Sequence, residues 1–76
     1  MKELLENIAK SLVDSPESVE VSEVEGEQSI ILELRVGPDD MGKVIGKQGR
    51  IAKAIRTVVK AAASKENKRV VVEILQ

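Results

Sequence analysis

Two glycines three positions apart constrain this chain more than any other feature. The segment Gly46-Lys47-Gln48-Gly49 interrupts a stretch with helical periodicity, and a longer helix is predicted from Arg50 to Ser64. Glycine at both ends lets the backbone adopt positive φ and leaves no Cβ in the way of an approaching chain. The second glycine leads directly into the long helix, whose free N–H groups and positive dipole end favour an anion. The sequence therefore predicts a helix–loop–helix unit whose loop suits a phosphate.

Periodicity on either side of this unit predicts the remaining elements. Apolar residues at helical spacing open the chain, and Pro16 ends that helix. Residues 19–22 and 30–36 each alternate with a period of two, and the turn at 25–28 between them favours antiparallel pairing. A short helix is expected at about 40–45, begun by Asp39-Asp40, and a last strand at 69–75. The predicted order is α-β-β-α-α-β, over a single domain of residues 1–76.

Composition restricts the core and the chemistry. The chain has no cysteine, no histidine and no aromatic residue, so the core must be aliphatic. Thiol nucleophiles, disulfides and the usual zinc ligands are absent, and we expect no metal and no cofactor. Only carboxylates, lysines and hydroxyls remain for acid–base work, which argues against an enzyme. No apolar run approaches the roughly 20 residues that span a bilayer, and no signal-like segment opens the chain, so a cytoplasmic protein without membrane contact is expected.

Charge is divided between the two halves of the chain. Residues 1–40 hold three basic residues against eleven acidic ones, a net charge of −8. Residues 41–76 hold nine basic residues against two acidic ones, a net charge of +7. This segregation indicates an anionic partner for the second half, although solvated helix faces would produce the same pattern.

Three other interpretations of the glycine loop can be compared with its residues. A P-loop requires four residues between its glycines and then Lys-Ser/Thr, whereas only three separate Gly42 from Gly46, and Gln48 stands where the hydroxyl should be. A helix-turn-helix DNA reader normally belongs to an all-helical setting, and here strands flank the helix pair. A purely structural helix–helix corner needs neither Lys47 nor Arg50. A phosphate-holding loop fits the residues best.

The long helix has more apolar surface than one sheet covers. At 100° per residue, its apolar side chains span an arc of roughly 200°, against about 100° for an ordinary surface helix. The first helix would cover part of the remainder. Alternatively, a second subunit packs on the small and branched residues, which predicts a homodimer through Ile51, Ala54, Val58 and Ala61.

The segment from Ile45 to Gly49, with its flanks, resembles the GxxG signature of KH domains, whose loop clamps about four nucleotides of single-stranded nucleic acid. Residues 41–56 (MGKVIGKQGRIAKAIR) are similar to the small bacterial KhpA/YlqC family of KH proteins. The resemblance covers the whole chain and implies an α+β type II KH fold, with a three-stranded mixed sheet packed against three helices. It also implies RNA binding, a homodimer, and partnership with a larger KhpB/Jag-type KH protein. Family members are linked to post-transcriptional control that affects cell division, cell shape and envelope growth.

Residue by residue, the resemblance assigns the RNA site to the loop and its flanks. The assigned residues are Lys43, Val44, Ile45, Gly46, Lys47, Gln48, Gly49, Arg50 and Lys53. Val44 and Ile45, with Ile31 or Leu32 of the second strand, are expected to form an aliphatic floor for the bases. Without aromatic stacking, binding is expected to be weak and tolerant of sequence. The alternative function is a protein-interaction module that pairs with a larger partner through the long helix.

Overall fold

Three helices and a three-stranded sheet make up the computed structural model, which describes residues 1–75. The elements are α1 (Lys2–Leu12), β1 (Glu20–Glu25), β2 (Ser29–Arg35), α2 (Met41–Ile45), α3 (Arg50–Ser64) and β3 (Arg69–Leu75). Single turns of 3-10 helix precede β1, α2 and α3. The predicted α+β fold and its order α-β-β-α-α-β are confirmed.

The sheet is mixed, with β2 at its centre. β1 pairs with β2 antiparallel, and β3 pairs with β2 parallel. The β1–β2 hairpin is closed where the N–H of Gly26 donates to the carbonyl oxygen of Ser29 at 2.7 Å. Pairing continues as far as Glu25 and Ile30, so β1 extends three residues beyond the predicted end at Ser22. The parallel β2–β3 pair needs a crossover connection, which α2, the glycine loop and α3 provide.

Every second residue of β2 faces the helices and forms the centre of an aliphatic core. Ile30, Leu32 and Leu34 are at most 2% exposed. Leu5 and Ala9 of α1 are also fully buried. The alternate residues of the sheet point to its opposite face, where Val24, Ile31 and Val71 are exposed and lie side by side on the three strands. The helices therefore cover one face of the sheet only.

Helix α3 buries part of its apolar arc. Its core-facing residues follow the helical spacing, namely Ala52, Ile55, Val59 and Ala63. Of the residues predicted to form a dimer interface, Ala54, Val58 and Ala61 are exposed, and Val58 is 48% exposed. Ile51 is half-buried and packs against the core. The described structure thus leaves an apolar stripe of Ala54, Val58 and Ala61 uncovered.

Asp40 ties two distant parts of the chain together. Its carboxylate accepts hydrogen bonds from the backbone N–H groups of Asp14 (3.2 Å) and Ser15 (3.1 Å), in the connection between α1 and β1. The predicted start of the short helix at Asp39-Asp40 agrees with the structure, because Asp40 is the N-cap residue of α2, although its side chain makes no capping hydrogen bond to that helix. The backbone donor at Asp14 is the main cause that holds the pKa of Asp40 below its ordinary value.

None of the helices formed by residues 1–75 combines the length and the apolar character needed to cross a membrane.

Candidate nucleic-acid interface

The loop between α2 and α3 contains three departures from right-handed backbone geometry. Gly46 has φ 76° and ψ 175°, Gln48 has φ 56°, and Gly49 has φ 73°. Positive φ is costly for most residues with a Cβ and is freely adopted by glycine. The two glycines therefore allow the chain to turn sharply from α2 into α3, with Lys47 and Gln48 exposed at the tip of the loop.

The two glycines are required for different reasons. A Cβ atom on Gly46 would lie 2.6 Å from Cγ1 of Ile51, so this position has no room for a side chain. A Cβ atom on Gly49 would meet nothing within 4 Å. Gly46 therefore belongs to the packing between the loop and α3, whereas Gly49 leaves open surface where α3 begins.

Backbone hydrogen bonds hold the loop in a closed form. The N–H of Gly46 donates to the carbonyl oxygen of Gly42 at 2.8 Å, and this bond ends α2. The N–H of Gly49 donates to the carbonyl oxygen of Gly46 at 3.2 Å. No side chain among residues 1–75 caps the N-terminus of α3. Within this part of the chain, the positive end of the α3 dipole is therefore presented at the loop without a capping carboxylate.

Exposed cations surround this loop. The side chains of Lys47 and Lys53 have no hydrogen-bond or ion-pair partner among residues 1–75. Arg50 donates from Nη2 to Oε1 of Gln48 at 3.3 Å, which leaves its charge uncompensated. These three side chains extend from the loop and from the first turn of α3, so their charges are available to an anion.

Lys43 is the exception among the predicted cations. Its Nζ forms an ion pair with the carboxylate of Asp14 and lies 3.5 Å from Oδ1 of Asp40. The hydrogen bond to Asp14 is the main cause that raises the pKa of Lys43 above its ordinary value. The positive charge of Lys43 is therefore already compensated within the protein.

The predicted aliphatic floor is smaller than expected. Val44 and Leu32 are 0% exposed, so the structure corrects their predicted role: both lie in the hydrophobic core. Ile31 lies on the face of the sheet that the helices leave uncovered, so it does not reach the loop. Ile45 is half-buried and is the one residue of this group that offers apolar surface next to the glycines.

Comparison with known proteins identifies the family of this chain. The family model described as the KhpA/KhpB KH domain matches residues 2–74. The chain belongs to this family. No solved structure gave a significant match.

Relatives of this KhpA/KhpB chain are similar to it over almost their whole length. It is 83% identical over 75 residues to a protein of Clostridium acetobutylicum named RNA-binding protein KhpA, covering 99% of this chain and all of the relative. A protein of the same name from Aquifex aeolicus is 54% identical over 76 residues, covering all of this chain and 96% of the relative. Another from Borreliella burgdorferi is 58% identical over 73 residues, covering 96% of this chain and 89% of the relative.

Two interactions in this KH domain had no signal in the sequence. Asp40 binds backbone groups 25 and 26 residues earlier in the chain, so no local pattern marks it. Arg56 of α3 donates from Nε to the carbonyl oxygen of Val72 in β3 at 3.3 Å. Arg56 therefore helps to join α3 to the sheet. Among residues 1–75 no group of acidic side chains is arranged to hold a metal ion.

Proposed function

We propose that this chain binds single-stranded RNA as one KH domain of residues 1–76, with the GxxG loop at 46–49 on the sugar–phosphate backbone. The observation that carries the proposal is the loop itself, which has positive φ at both glycines and open space beside Gly49. Lys47 is exposed at the tip of the loop, and its side chain has no partner among residues 1–75. The names of the relatives, each an RNA-binding protein KhpA, support the same ligand.

In this proposal the loop binds RNA through its backbone. Phosphates approach the loop and the N-terminal end of α3, which no side chain of the described residues caps. Lys47, Arg50 and Lys53 neutralise them, and Ile45 gives the bases a limited apolar surface. Because the chain has no aromatic residue, the roughly 1–3 kcal/mol per base that stacking supplies is absent. Binding is therefore weak, dependent on salt and tolerant of sequence.

A second domain compensates for weak binding, because two linked sites raise the overall affinity even when each site binds as before. The exposed stripe of Ala54, Val58 and Ala61 on α3 supports a homodimer, and a larger KhpB/Jag-type protein is the candidate for a heterodimer. The proposed role is that of a cytoplasmic post-transcriptional regulator or RNA chaperone, which acts by binding rather than by catalysis.

The test is a double variant, Lys47→Asp with Gln48→Asp, which places negative charge where phosphates should lie. Aspartate tolerates the positive φ of Gln48 better than most residues, so the loop is expected to keep its shape. Affinity for a short single-stranded RNA of mixed sequence should fall steeply. The dependence of log K on log salt should also become shallower, by about 0.7 for each phosphate that the variant no longer neutralises.

A matched control keeps this test specific to the loop. Lys2→Asp with Asn7→Asp makes the same change of three charge units at exposed positions of α1. We expect this control to retain most of the affinity. If both double variants bind RNA equally well, the assignment of the loop is wrong.

The alternative function, a protein-interaction module, rests on Val58, which is 48% exposed in the middle of the apolar stripe. Val58→Asp should convert a dimer into a monomer in sedimentation, with RNA binding by each domain retained. Val71→Asp is the control, because Val71 is 44% exposed on the opposite surface of the fold. If the wild-type protein sediments as a monomer at all concentrations, the proposed homodimer is ruled out.

A further inference from the structure

Lys43 differs from the other cations near the glycine loop because two carboxylates already bind it. It lies on α2 and precedes Gly46 by three residues. Its Nζ pairs with Asp14 and lies 3.5 Å from Asp40, whereas Lys47 and Lys53 have no partner within residues 1–75. An RNA phosphate can therefore gain the charge of Lys43 only if a protein carboxylate gives it up.

The two carboxylates are not equally able to move. Asp40 is 3% exposed, and its oxygens accept hydrogen bonds from the backbone N–H groups of Asp14 and Ser15. The side chain of Asp14 is 79% exposed, and Lys43 is its partner. The backbone of Asp14 is fixed by Asp40, but its carboxylate can rotate into water without breaking any other interaction described for it. Asp14 is therefore the displaceable partner and Asp40 the permanent one.

We propose that the Asp14 carboxylate competes with RNA phosphate for Lys43 and thereby limits the affinity of the interface. The inference rests on the proposed function, since it concerns the same interface. Carboxylate and phosphate oxygens both accept hydrogen bonds from an ammonium group, and solvent-exposed ion pairs are weak enough to exchange. Lys43 then contributes to binding only when the RNA backbone continues from the loop along α2 and displaces Asp14.

The decisive variant is Asp14→Asn, which removes the competing charge and keeps the backbone N–H that Asp40 binds. Affinity for a short single-stranded RNA should rise about two- to fivefold, the range of one exposed ion pair. The salt dependence should become steeper by about 0.7, as expected for one additional neutralised phosphate. Urea denaturation of the variant checks that the fold is retained.

Asp39→Asn is the matched control. Asp39 is exposed, lies four residues before Lys43 and has no ion-pair partner among the described residues, so it makes the same charge change without releasing Lys43. We expect its gain in affinity to be clearly smaller. Asp14→Asn in a Lys43→Ala background should produce no gain, because the cation that benefits has been removed.

Three results would overturn the inference: no gain with Asp14→Asn, an equal gain with Asp39→Asn, or a gain that persists without Lys43. Either of the last two results would mean that Asp14 affects RNA binding only through its negative charge and not by holding Lys43. The Lys47→Asp, Gln48→Asp variant is measured in the same assay. If it loses RNA binding while Asp14→Asn changes nothing, the competition is excluded and the proposed function stands; if it binds normally, the proposed function fails first.

Discussion

Gly46 and Ile51 approach each other so closely across the loop that a Cβ atom on Gly46 would lie 2.6 Å from Cγ1 of Ile51 and 2.9 Å from its Cβ. The backbone of Gly46, at φ 76° and ψ 175°, is also open almost only to glycine. We therefore expect Gly46→Ala to lower the free energy of unfolding by about 3 kcal/mol, combining backbone strain with overpacking. Urea denaturation measures this change.

Gly49→Ala serves as the comparison for that variant. Gly49 has positive φ, as Gly46 does, but a Cβ atom on Gly49 would lie in open space. The free energy of unfolding should therefore fall by about 1–2 kcal/mol in Gly49→Ala, from backbone strain alone. Equal decreases for the two variants would contradict the role given to Ile51.

Gly42 should behave in the opposite way. It lies inside α2, and a Cβ atom there would meet nothing within 4 Å. Gly42→Ala should raise the free energy of unfolding by about 0.5–1 kcal/mol, because alanine loses less backbone entropy in a helix. We expect RNA affinity to fall in the same variant, since a methyl group would project from exposed backbone beside the loop. A decrease in stability would contradict the packing described for α2.

Asp40 should make the protein sensitive to acid. Because its pKa is lower in the folded state than in the unfolded chain, ionised Asp40 stabilises the fold fully above the unfolded pKa. This contribution disappears as the pH falls through the lower folded pKa. Thermal unfolding between neutral and acidic pH should show the decrease, and Asp40→Asn should both lower stability at neutral pH and flatten the acid limb. Asp39→Asn should leave both nearly unchanged.

Two adjacent valines of α3 should differ sharply in their effect on stability. Val59 is 0% exposed and Val58 is 48% exposed. Val59→Ala should lower the free energy of unfolding by about 2–3 kcal/mol, because it removes buried methyl groups and leaves a cavity. Val58→Ala should change it by less than about 0.5 kcal/mol in a monomer. If Val58→Ala lowered the free energy of unfolding by more than this, and the decrease grew with protein concentration, a second subunit would cover the apolar stripe of α3.

Much of the fold was predictable because local patterns and global packing agree in it. The period of two in residues 30–36 predicts a strand and the helical spacing of residues 50–64 predicts a long helix, and the structure confirms both elements. The positions of Gly46 and Gly49 between two helical segments likewise predict the loop. In these places the neighbouring residues alone determine the outcome.

The predictions failed where distant residues decide the outcome. Val44 precedes the loop by two residues and was expected to contact bases, but it is fully buried, which only the packing of α2 against the core reveals. Asp40 marks the start of α2 in the sequence, but no local pattern shows that its carboxylate binds the N–H groups of the α1–β1 connection. The pairing of Lys43 with Asp14 spans 29 residues and reduces the uncompensated positive charge of the candidate interface.

The hydrogen bond from the Arg56 guanidinium to the carbonyl oxygen of Val72 has a consequence for solubility. β3 is an edge strand, and the backbone groups of such a strand can template pairing with another chain and start aggregation. The guanidinium of Arg56 occupies one backbone acceptor of β3 and keeps a charged group beside it. We therefore expect the side chain that joins α3 to the sheet also to hinder the addition of further strands at this edge.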